Sequence, residues 1–133
     1  MALETATDIL ALAKALTRSA DAFHGRLLKE ISAGRLDREA ARRAFEEEAV
    51  LRQQAEALCI DAAERTVQGV QTTQADLLAA VAGAQTRIAQ EEHIAHAVDR
   101  LAALLALAAA VGSGQAPLIA TALLKVAQEA DGS

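Results

Sequence analysis

Between Leu10 and Ile31 the apolar residues Leu10, Ala13, Leu16, Ala20, Phe23, Leu27 and Ile31 recur at spacings of three and four, with Ile9 and Leu12 widening the stripe. That spacing follows one face of an α-helix at 3.6 residues per turn, whereas a strand, with its period of two, would scatter the same residues over both faces. Thr5 followed three residues later by Asp8 has the form of a helix-capping pair. The first helix is therefore expected over about 5–31.

The rest of the chain offers little material for strands. Trp and Tyr are absent, Phe23 and Phe45 are the two phenylalanines, and Pro117 is the single proline. Alanine supplies 35 of the 133 residues, about half of the hydrophobic content. Alanine favours helix and has a small side chain, so the expectation is an all-α chain with a thin core and closely packed helices.

The stretch "SAGRLD" marks a connection, with Gly34 ending the first helix and Asp37 placed to cap the second. The second helix is expected over about 38–68, with Ala44, Leu51, Ala55, Leu58 and Ala62 along its apolar side. Gly69 and the pair Thr73 and Asp76 mark the next break. A third helix then reads as continuous over about 74–111, with Leu77, Val81, Ala84, Ile88, Ala95, Val98 and Leu105 on one seam. "GSGQAP" closes it, and Pro117 suits the first position of a fourth helix over about 117–129. The expected fold is a single domain, 1–133: an up-down bundle of three long antiparallel helices plus a short C-terminal fourth helix.

Charge narrows the functional classes. The 13 basic and 18 acidic residues give a net charge of -5, and the one basic cluster is Arg35, Arg38, Arg42 and Arg43. Without a basic face or stacking aromatics, nucleic acid is not an expected partner. The single cysteine, Cys59, permits no intrachain disulfide, and "MALETATDIL" lacks the basic and apolar regions of a secretory signal, so a cytoplasmic location is expected. Cys59 itself, in "ALCIDAA", reads as a small buried hydrophobe. Ser19, Ser32 and Ser113 sit in no nucleophile elbow, and "GSGQAP" is no phosphate loop, so no enzyme is expected.

Two regions carry the functional expectations. The end of the third helix, "LAALLALAAAV", is apolar nearly all round, more than a short fourth helix can cover. Leu101, Leu104, Leu105, Leu107 and Val111, with Leu118 and Leu123, are expected to form a surface that binds a protein partner or a second copy, with no cofactor. "EEHIAH" is the other region. Folding the helices on their connections brings His24, "FEEEA" and "EEHIAH" to one level, so His24, Glu47, Glu48, Glu92, His93 and His96 form an alternative set of ligands for a divalent transition metal. The competing reading of the same residues is a structural polar layer or a solvated face. A third class, membrane insertion, comes from the uncharged run Leu101 to Leu124. "GSGQAP" splits it into arms too short to span singly, which leaves only an inserting hairpin, and a membrane is not an expected partner.

Overall fold

A computed structural model describes residues 1–131 and confirms the all-α class, with no strand among them. The helices are α1 (Ala6–Ser32), α2 (Arg38–Ile60), α3 (Gln74–Gln90), α4 (Ile94–Ser113) and α5 (Ala116–Asp131), with a 3-10 turn at Ala62–Arg65. Five helices thus replace the expected four. The expected starts are in place: Thr5, Asp37 and Thr73 each accept from the backbone amide three residues on. Gly34, Gly69 and Gly114 take positive φ and let the chain reverse where a Cβ would be strained.

Residue pairs between helices fix their directions. His24 with Glu48 and Asp21 with Arg52 set α1 against α2 in opposite senses. Gln74, opening α3, accepts from the Leu3 amide and donates to the Asp8 carbonyl, while Arg26 donates to the Glu92 carbonyl just past the end of α3. Hence α1 and α3 run side by side in the same sense. α4 returns, bringing Gly112 to Arg65, and α5 turns back again to pack on α3 and α4. The order is up, down, up, down, up. The N-terminal residues are tied in by the Ala2 amide donating to Thr72 and the Val67 amide donating to Leu3, both at 2.8 Å. These bonds hold Leu3 at φ 65, a left-handed conformation that a leucine adopts only under such constraint.

Two expectations on helix length are corrected. The second helix ends at Ile60, not near residue 68, because the chain tightens into the 3-10 turn and then runs extended through Thr66. The third breaks at Glu91–His93, so the run 74–111 is an antiparallel pair of helices. The break also resets the apolar seam. Leu77, Val81, Ala84 and Ile88 are buried as expected, but beyond the break the buried residues include Ala97, Leu101, Leu104, Ala108 and Val111, while Ala95 is exposed. In α1 the stripe centres on Ile9, Leu12, Leu16, Phe23 and Leu27, and Leu10 turns outward.

The same rearrangement places most of the residues expected as a partner surface inside the bundle. Leu101, Leu104, Leu107 and Val111 are fully buried and Leu123 nearly so, because α4 is flanked by α1, α2 and α3 and then covered by α5. Leu105 is half-buried, and Leu118 alone of the set is well exposed, at 48%. Cys59, expected to be buried, is exposed: Leu58 takes the inward position and the next residue turns about 100° away. α4 is long and apolar enough to cross a membrane, with a mean hydropathy of 1.7, and half of that stretch is buried inside the bundle. A core helix with many leucines and alanines has the same character.

The glycines separate two kinds of position. Gly25 lies within α1 where an added Cβ meets nothing within 4 Å, while Gly114 holds φ 71 at the end of α4. Gly25→Ala is expected to stabilise the protein by about 0.5–1 kcal/mol and Gly114→Ala to destabilise it by about 1–2 kcal/mol, read from urea unfolding midpoints.

Candidate functional site

The polar residues inside the bundle form three clusters near the end where α1 turns into α2. In the first, the Glu30 carboxylate accepts from Arg35 Nε at 2.9 Å and from Arg26 Nε at 3.2 Å. Arg26 also donates to the Glu92 carbonyl at 3.2 Å, which satisfies a backbone oxygen freed by the helix break. The bonds from Arg35, opposed by burial and aided by Arg26, hold Glu30 down to about 2.

The second cluster joins α1 to α2. Glu48, buried, lies 3.0 Å from His24 Nδ1 and accepts from Arg52 Nε at 2.8 Å, and Arg52 reaches Asp21 at 2.9 Å. The His24 ring also stands 5.6 Å from the Phe45 ring. The third cluster sits at the break. Arg100, 2% exposed, donates through Nε to Glu91 at 2.7 Å, and His96 Nδ1 lies 3.4 Å from the same carboxylate. Burial pushes the Glu91 carboxyl up, but Arg100 and His96 outweigh it and the net direction is down.

The levels inferred from topology are therefore right, and the facing directions diverge. His24 and Glu48 meet, but Glu47, one residue earlier, lines a cleft between α2 and α4. Glu92 and His93 are exposed, and His96 turns to Glu91 rather than to His24 or Glu48. Among the described residues no group of three or more His, Cys, Asp or Glu side chains could hold a metal ion. The expected ligand set His24, Glu47, Glu48, Glu92, His93 and His96 is thus not brought together. Arginine completes all three clusters instead, because a buried carboxylate needs a donor.

Two apolar depressions flank α2, and sequence reading missed both. One, of about 750 Å³, is lined by Ile31, Leu36, Ala41, Phe45 and Ala49 with Arg38, Arg42 and Glu46 at its edge. The other, of about 380 Å³, lies between α2 and α4. The signal for them was present in α2: its first half buries only Ala44 and Glu48, while Ala41, Phe45 and Ala49 repeat every four residues on a flank that is only partly covered. A third depression, of about 540 Å³, lies on α4 and α5 and includes Ala106, Ala109, Leu118 and Ala122.

No protein family model matches the chain, and no curated protein or solved structure is significantly similar to it.

Because the folded state lowers the Glu30 carboxyl from 4.5 to about 2, its contribution to stability is complete above pH 4.5 and is lost as the pH falls toward 2. Glu30→Gln is expected to lower the melting temperature at neutral pH and to make its decline between pH 4.5 and 2 shallower than in the native protein. Calorimetric melts at several pH values read both effects.

Proposed function

We propose that this chain is a non-enzymatic helical interaction protein that takes an apolar helix of a protein partner into the groove along the outer face of α1 and α2. The observation that carries this reading is the groove itself, about 750 Å³, with Ile31, Leu36, Phe45 and Ala49 on its floor. Ile31 is 39% exposed and Leu28, one turn earlier in α1, 49%, so the apolar surface continues past the groove. A soluble chain gains nothing from apolar side chains in water at adjacent positions on two helices, and such patches commonly mark partner sites. Helix-in-groove docking lays the apolar face of a partner helix into such a groove, and the row Ala41, Phe45 and Ala49 on α2 offers it one apolar wall.

Charge at the edge supplies orientation. Arg42 is engaged by Glu39 and Glu46, whereas Arg38 has no ion-pair partner among the described residues. An acidic residue flanking the partner's apolar stripe is the complement to Arg38. The depression around Leu118 on α4 and α5 supports a second reading, self-association, on the one exposed member of the apolar set expected from the sequence.

Two variants separate the readings. Ile31→Glu places a charge in the first groove, and Leu118→Glu places one in the depression on α4 and α5. Affinity capture from a native extract, with molar mass followed by light scattering, is expected to lose its partner by tenfold or more in Ile31→Glu and to keep it in Leu118→Glu. Retention of the same partner by Ile31→Glu would overturn the assignment of the groove.

A further inference from the structure

We propose that the cleft between α2 and α4 is a binding site for an ammonium group carried on a short apolar chain, with Glu47 as its anchor and Asp99 as its second acceptor. The cleft, of about 380 Å³, lies on the opposite side of α2 from the groove assigned to a partner helix, and the two proposals are independent. Its walls are apolar: Leu36, Ala40 and Ala44 on one side and Ile94 and Val98 on the other. Into this setting α2 brings Glu47 and α4 brings Asp99.

The state of Glu47 points to a cationic ligand. Glu47 is half-buried, and its Oε2 atom, shut off from solvent, accepts no hydrogen bond among the described residues, in a protein where Glu30, Glu48 and Glu91 each accept from arginine. A carboxylate oxygen left in that condition is destabilising, and an ionised carboxylate can only accept. Burial, and then the Asp99 charge facing it, push the Glu47 carboxyl up. The one cation on the cleft wall is Arg43, which is 72% exposed and leans 3.6 Å from Glu39, away from this task. The group that complements this lining is a compact donor with positive charge and a tail that can lie on alanine, isoleucine and valine. An alkylammonium supplies three N–H donors and such a tail. Cavities of this size and mostly apolar lining, with a few convergent polar groups, are the usual form of small-ligand sites.

The test is a titration of the full chain, followed by amide shifts, with n-pentylamine at neutral pH and with n-pentanol and pentanoate as controls. Saturable shifts at Ala44–Glu48 and Ile94–Asp99 are expected for the amine, with affinity at least tenfold above the alcohol. Glu47→Gln is expected to weaken amine binding tenfold or more, and Asp99→Asn by less. Failure to fold is separable from failure to bind. With its carboxyl raised in the folded state, ionised Glu47 opposes folding, so Glu47→Gln is expected to melt higher than the native protein at pH 7, the difference vanishing below pH 4.5. A free amine and a partner's lysine share this chemistry. Binding of n-pentylamine alone assigns a free amine, and binding of Nα-acetyl-lysine methylamide as well admits a lysine side chain. Equal shifts from amine and alcohol, or unchanged amine affinity in Glu47→Gln, overturn the proposal.

Discussion

The ion pair between Arg100 and Glu91 decides how this chain folds back on itself. Arg100 is 2% exposed, and a guanidinium at that depth requires an acceptor. Glu91 reaches it at 2.7 Å only because the chain leaves the helix at Glu91. In an unbroken helix, residues nine apart are separated by about 13 Å of rise and stand on opposite faces. The pair and a continuous helix are mutually exclusive. Once the chain breaks, α4 runs antiparallel to α3, its leucines turn into the core, and α5 is left to cover the groove between them. Removing one partner from a pair at this depth typically costs about 3–5 kcal/mol.

The break explains what was legible in the sequence and what was not. The three capped starts were readable because a side-chain oxygen three residues before an amide is a local arrangement. So were the reversals at Gly34, Gly69 and Gly114, where positive φ selects glycine. The turn at Glu91–His93 contains neither glycine nor proline, and its cause is an arginine nine residues away. No local rule announces it. One trace was available: after Ile88 the apolar positions Ala97, Leu101, Leu104, Ala108 and Val111 fall out of phase with the seam before it. Counting Ala95 and Val98 into that seam conceals the slip.

The same limit governed the functional residues. Matching levels along antiparallel helices set His24 level with "FEEEA", where it meets Glu48, but a level carries no facing direction. Glu47 and Glu48 are neighbours in sequence and serve different faces of α2: Glu48 enters the arginine-linked cluster with His24, and Glu47 enters a cleft that offers it no donor. The apolar run of α4 looked like a surface because a four-helix bundle had too little to cover it. The break supplies the cover: it lays α4 against α1, α2 and α3, and α5, the segment expected as the fourth helix, closes over it. An alanine-rich helix packs closely to its neighbours at Ala44 and Ala55, and where Ala41 and Ala49 stand in place of larger side chains it leaves an apolar depression beside Phe45.

The backbone at Glu91–His93 is the most direct test of this account. Secondary chemical shifts of the native protein in solution are predicted to be extended at Glu91, Glu92 and His93 and helical on both sides, with nuclear Overhauser contacts between α3 and α4. An unbroken run of helical shifts from residue 74 to residue 113 would contradict it.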